Sequence, residues 1–125
     1  MKETVKTDKA PAAIGPYAQA IKTNNLIFTA GQIAIDPETG KIIEGGIEVE
    51  TERVILNIKS ILEAAGSSLE NVIKTTVYMD NLEEFTKMNG VYGKFFASNP
   101  PARSTVQAKL PKGVKIEIDA VAIIP

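Results

Sequence analysis

Val54, Ile55, Ile58, Ile61, Leu62 and Ala65 fall at i, i+1, i+4, i+7, i+8 and i+11, and no other feature of this sequence constrains the fold as strongly. Glu52, Arg53, Asn57, Lys59, Ser60 and Glu63 take the opposite face. A helix with so continuous an aliphatic stripe is stable in water only when a second apolar layer covers it. Gly66 stands where a left-handed C′ residue would end it. A second helix follows from Phe85, Met88, Tyr92, Phe95 and Phe96, which share one stripe. Asn81 with Glu84 three residues on has the form of a capping box, and Asn99-Pro100-Pro101 stops the helix.

Strand-like runs surround these helices: Tyr17 to Lys22, Leu26 to Ile35, Val72 to Met79, Ser104 to Leu110 and Lys115 to Ile124, preceded by Thr4 to Thr7. Asn24-Asn25 suits a hairpin turn between the first two long runs. Pro111-Lys112-Gly113 is expected to turn Ser104 to Leu110 back against the closing strand. In that strand Ile116, Ile118, Ala120, Ala122 and Ile124 alternate with Lys115, Glu117, Asp119, Val121 and Ile123, so one face is core and the other begins polar. The order of elements predicts one α+β domain over residues 1–125, a mainly antiparallel sheet with both helices on one face. The other face is then bare. Val77, Val121, Ile123 and the Leu26 to Ile35 run offer it apolar surface, which predicts a homo-oligomer.

Composition narrows the chemistry. The 125 residues include no cysteine, histidine or tryptophan, which removes disulfides, thiol nucleophiles, thiolate and imidazole metal sites and every imidazole triad. Fourteen basic against fifteen acidic residues give a net charge of −1, too little positive charge for a binder of nucleic-acid phosphates. No run of about 18 apolar residues spans a bilayer, and the first residues lack a signal-peptide core. A cytoplasmic protein is expected.

Arg103 follows Asn99-Pro100-Pro101-Ala102, a stiff lead-in that presents its guanidinium fork to a carboxylate. The competing reading is an ion pair with Glu117 or Asp119. Parity puts Arg103, Thr105 and Gln107 on one side of their strand, and a shared polar surface of Arg103, Gln107, Glu117 and Asp119 is expected. Glu117, between Ile116 and Ile118, is either a desolvated proton acceptor or an ordinary solvent-face residue. Gly31 within an apolar run marks either the close approach of a ligand or another backbone, or subunit packing or a bulge, the latter pair the commoner reading. Tyr17, just after the Gly15-Pro16 turn, and Tyr92 read first as amphipathic interface residues. Asn89 either bonds a neighbouring loop or orients a site, and Lys74-Thr75-Thr76 reads as a solvated strand face. There is no phosphate-binding glycine loop and no constellation of metal ligands.

Pro101-Ala102-Arg103-Ser104, together with Ala10-Pro11-Ala12-Ala13-Ile14-Gly15-Pro16-Tyr17, Ala30-Gly31-Gln32, Lys74-Thr75-Thr76-Val77-Tyr78 and Lys115-Ile116-Glu117-Ile118-Asp119-Ala120, resembles the RidA family nearly end to end. The resemblance implies a chorismate-mutase-like fold in a homotrimer with clefts between subunits. It also implies hydrolysis of reactive 2-imino acids (2-iminobutanoate, 2-iminopropanoate) and their enamines to 2-oxo acids and ammonia, without metal or cofactor. Carried over, the carboxylate-binding arginine is Arg103 and the water-handling glutamate Glu117, with Tyr17, Gly31, Thr105 and Asn89 binding substrate. Arg103 and Glu117 are expected from one subunit and Tyr17 from the next. Many members carry Ser at the position of Ala30 and Cys at that of Thr105, a departure that bears on substrate preference. A regulatory or chaperone-like trimer that binds small carboxylates is the alternative, and a ribonuclease, claimed for some relatives, is a third.

Overall fold

The structure, a computed structural model, describes residues 1–125. Its strands are β1 (Lys2–Val5), β2 (Ala20–Thr23), β3 (Leu26–Thr29), β4 (Val72–Met79), β5 (Ala102–Gln107) and β6 (Ile116–Ile123), and its helices are α1 (Ile47–Ala64) and α2 (Phe85–Phe96). The strands form one sheet in the order β1-β2-β3-β6-β4-β5. All neighbours are antiparallel except β4 and β5. No helix is long and apolar enough to cross a membrane.

Local chemistry accounts for most of these boundaries. Asn24 adopts the left-handed region at φ 52°, which asparagine tolerates, and closes the two-residue hairpin that pairs Thr23 with Leu26. Gly66, at φ 87°, ends α1: its N–H donates to the Glu63 carbonyl while that of Ser67 donates to Leu62, a Schellman arrangement. Val54, Ile55, Ile58, Ile61 and Leu62 are buried as the stripe predicts, each contributing about 1.5–3 kcal/mol by leaving water. They meet Ile116, Ile118, Ala120 and Ala122 of β6, and Met88, Tyr92 and Phe96 complete the core from α2.

Three expectations about the course of the chain fail. The Pro111–Gly113 segment does turn the chain, with Lys112 at φ 57°, but β5 does not pair with β6. Instead α2 crosses from β4 to a parallel β5 at the sheet edge, and β6 inserts between β3 and β4. A turn sets local direction; which edge a strand joins depends on helix packing far along the chain. Second, the run from Leu26 leaves the sheet after Thr29, touching it again only where Gln32 bridges Ile118. Third, α1 begins seven residues before Val54, and Asn57, assigned by periodicity to the polar face, is fully buried.

The register fixes which way each strand residue points. Thr75, Val77 and Met79 are buried beneath the helices, so their partners Arg103, Thr105 and Gln107 face that side too. Thr76 and Tyr78, with partners Asp119 and Glu117, face the opposite, uncovered side. Val77 therefore belongs to the core and not, as expected, to the bare face. That face carries Ile21, Phe28, Val121 and Val106, with Phe28 and Val106 more than two-fifths exposed.

Candidate functional site

The candidate side chains gather in two places. The first is a cleft of about 270 Å³ lined by Pro11, Ile14, Tyr17, Gly31, Ile33 and Glu117, among others. Glu117 emerges from β6 on the uncovered face and lies against the Gly31 backbone, where an added Cβ would come within 2.8 Å of its Cδ. The close approach at Gly31 is therefore made by a side-chain carboxylate of the same chain, and not by another backbone as expected. Burial first, and then the negative charge of Asp119, push the Glu117 carboxyl above the usual carboxylate range. Asp119 is also raised by burial, with hydrogen bonds from Tyr78 Oη (3.2 Å) and Thr76 and the charge of Lys74 acting against it. Tyr17 stands half-exposed at the rim.

Three buried polar side chains, of which only Asn57 is singled out by the sequence and there as a polar-face residue, hold this cleft in shape. Asn57 of α1 donates through Nδ2 to the carbonyls of Ile33 (3.2 Å) and Ile35 (3.0 Å), and its Oδ1 accepts from Arg53 Nε. Gln19 accepts from Thr7 N at 2.7 Å and donates to the Thr7 and Pro11 carbonyls, securing the segment that leads to Tyr17. Glu50 Oε1 accepts from Lys115 N at 3.0 Å, two residues before Glu117. Burial is the first cause that raises the Glu50 carboxyl above its ordinary range. The signal was faint: on a helical projection Glu50 and Asn57 both lie beside Ile61, at the margin of the α1 stripe.

The second place is the shelf between β5 and α2. The Arg103 guanidinium carbon sits 4.7 Å from the centre of the Tyr92 ring and 5.3 Å from that of Phe85. Its Nη1 donates to Asn89 Oδ1 at 2.7 Å. Tyr92 is buried, not an interface residue, and its hydroxyl shares a 2.7 Å hydrogen bond with Thr75. Arg103 forms no ion pair; Lys115 with Glu84 is the chain's one salt bridge. The Lys74-Thr75-Thr76 run is likewise more than a solvated face, since Thr75 is core and Lys74 Nζ donates to Ser104 Oγ.

Arg103, Asn89 and Thr105 therefore lie on the helix side of the sheet and Glu117, Gly31 and Tyr17 on the other. The expected common surface of Arg103, Gln107, Glu117 and Asp119 does not exist within one chain. Gln107 is occupied elsewhere, accepting from Leu82 N at 2.9 Å. Glu117 and Tyr17 share the cleft at Gly31, and no cluster of three or more His, Cys, Asp or Glu that could hold a metal ion forms. The arrangement offers a proton acceptor in one place and a free guanidinium edge in another.

Comparison with known proteins agrees with these motifs. The family profile described as Endoribonuclease L-PSP matches residues 7–124. A RutC family protein of Pyrococcus abyssi is 57% identical over 97% of this chain and 96% of its own. The human 2-iminobutanoate/2-iminopropanoate deaminase is 44% identical over 98% of this chain and 90% of its own. The crystal structure of Escherichia coli TdcF with bound serine superposes with a TM-score of 0.92 at 40% identity, covering 97% of this chain and 98% of that one. The fold is the chorismate-mutase-like α+β fold of these neighbours.

Proposed function

The chain belongs to the L-PSP/RidA family, and from that premise we propose that it hydrolyses 2-imino acids such as 2-iminobutanoate and 2-iminopropanoate to 2-oxo acids and ammonia. The observation that carries this reading is the Glu117 carboxyl, held against Gly31 in a cleft and given a raised proton affinity by burial and Asp119. A carboxylate so placed can take a proton from water and return it. Arg103 clamps the substrate carboxylate, with Asn89 beside it and the Thr105 backbone as a further donor. Water attacks the C=N carbon as Glu117 accepts one of its protons and passes it to nitrogen, giving the carbinolamine; Glu117 then takes the carbinolamine's hydroxyl proton and delivers it to nitrogen as the C=O forms and the C–N bond breaks, leaving the 2-oxo acid and ammonia. An iminium carbon is already electrophilic, so positioning supplies most of what is needed. No metal or cofactor enters these steps.

One chain cannot bring Arg103 and Glu117 to the same small molecule, because the sheet lies between them. We therefore assign the site to a homotrimer in which the β5 edge of one subunit closes the Glu117 cleft of the next. The uncovered face with Phe28, Val121 and Val106 supports such an assembly. This revises the expected division: Tyr17 sides with Glu117, and Arg103 comes from the neighbour. A cytoplasmic location suits a substrate released by amino-acid dehydratases.

The test couples a threonine or serine dehydratase to detection of the 2-oxo acid, with and without this protein. Acceleration beyond spontaneous hydrolysis is expected, and Arg103→Ala should remove it. Arg103→Lys should fail nearly as badly, since lysine lacks the fork; losses of roughly 30- to 1,000-fold match about 2–4 kcal/mol for a desolvated charged contact. The second reading, a regulator that binds small carboxylates without turnover, draws on TdcF having been crystallised with serine, which has no C=N bond to hydrolyse. Binding without acceleration would select it.

A further inference from the structure

The geometry points to Tyr92 as the positioning residue of the carboxylate clamp: its ring fixes the plane of the Arg103 guanidinium and so decides which edge meets the substrate. The inference rests on the reading of Arg103 as the anion-binding group and extends it to a residue that never touches substrate. Thr75 and Arg103 are register partners on adjacent parallel strands, side by side on the sheet face beneath α2. Tyr92 spans the pair. Its hydroxyl is tied to Thr75 Oγ1 at 2.7 Å, and its ring centre lies 4.7 Å from the Arg103 guanidinium carbon. On its own helix Phe96 packs on the ring at 4.6 Å between centres. A ring held at its hydroxyl and packed by a neighbour cannot follow a wandering guanidinium.

Phe85, Asn89, Tyr92 and Phe96 follow i, i+4, i+7 and i+11, so one stripe of α2 supplies the second ring, the amide and the platform. Asn89 takes one Nη1 hydrogen, and Arg103 has no other acceptor in the chain. With the plane set by the rings and Nη1 engaged by the amide, the edge formed by Nε and Nη2 is left to a ligand. Two parallel N–H groups on that edge match the two oxygens of a carboxylate. Without the ring the arginine would keep its charge but sample many rotamers, and the cost of ordering it would fall on each binding event.

The experiment separates the ring's charge distribution from its shape. Tyr92→Phe keeps the aromatic face and loses the hydroxyl; placing pentafluorophenylalanine at the same position keeps the shape and reverses the quadrupole. The probe is 2-oxobutanoate, an unreactive analogue of the proposed substrate, titrated by calorimetry against assembled protein whose melting temperature has been recorded. Tyr92→Phe should bind within about threefold of the parent, and the fluorinated ring roughly tenfold more weakly than Tyr92→Phe. With the imine substrate the difference should appear in KM, with kcat little changed. The Arg103 Nε–H resonance should report the ring current in the parent and in Tyr92→Phe. Equal affinity of the two ring variants would overturn the inference while leaving the clamp intact, provided Arg103→Ala binds poorly. Unimpaired binding by Arg103→Ala would overturn both.

Discussion

The Glu117 cleft and the Arg103 shelf solve opposite electrostatic problems by different constructions. The cleft is built from irregular backbone pinned by buried amides and a carboxyl, Asn57 reaching across 24 residues to Ile33 and Glu50 across 65 to Lys115. Its carboxylate is partly desolvated beside a like charge, so the charged form is disfavoured and its proton affinity rises. The shelf is built from regular elements, a strand register and a helix stripe, and its cation is accommodated by aromatic faces and an amide that leave its charge uncancelled. Had the two groups met on one face they would have paired, lowering the carboxyl's proton affinity and occupying the guanidinium fork. Keeping them on opposite faces leaves a partly desolvated carboxyl in one place and an unpaired guanidinium in the other.

The strongest way to break this comparison is to let two defective chains repair each other. Arg103→Ala and Glu117→Gln homotrimers should each be inactive; unfolded and refolded together in equal amounts, they should recover roughly a quarter of the parent's activity. Random mixing in a cyclic trimer places an intact Glu117 against an intact neighbouring Arg103 at about one interface in four. Mixed trimers verified by mass spectrometry yet devoid of activity would place both groups in the same chain's pocket, against the register.

A narrower probe acts on the cleft alone. Gly31→Ala puts a methyl group where the Glu117 carboxylate lies, and because that carboxylate ends a flexible side chain it can swing aside. Folding should therefore change little while kcat/KM falls about a hundredfold, the scale expected when a reacting group is displaced by about 1 Å. Binding of 2-oxobutanoate at the Arg103 edge should weaken far less. A variant with parental turnover would mean that the seat against Gly31 is not where Glu117 works.

The smallest effect tests the electrostatics. Glu117 must be ionised to accept a proton, so kcat/KM should fall as pH drops through its raised pKa. Asp119→Asn removes the charge that, after burial, helps to raise that pKa, and the acid limb should move to lower pH. Tyr92→Phe, which touches only the shelf, should leave the limb in place. An acid limb indifferent to Asp119 would show that another group titrates.

Much of the fold could be read directly. The α1 stripe, the bounds of β4, the Asn24-Asn25 hairpin and the alternation of β6 are written in adjacent residues, because hydrophobic periodicity and turn chemistry act over a few positions. Arg103, Glu117 and Gly31 stood out for the same reason: a proline-braced cation, a carboxylate between two isoleucines and a glycine in an apolar run are local anomalies. Asn57 is buried against the polar-face reading, and Glu50 carries no local signal, because a polar residue at the margin of a helix stripe looks solvated until a distant backbone segment comes to meet it.

What the sequence determined by itself was an α+β layer with an aliphatic helix over an alternating strand, and a short set of residues able to carry chemistry. Only the tertiary structure decided how they combine. The crossover of α2 carries β5 to the far edge of β4, and the insertion of β6 between β3 and β4 turns Glu117 away from Arg103. Strand parity tells which residues of one strand share a face, but the faces of two strands are matched by their pairing register. That register is set by non-local packing of the helices on the sheet, which no short stretch of chain encodes.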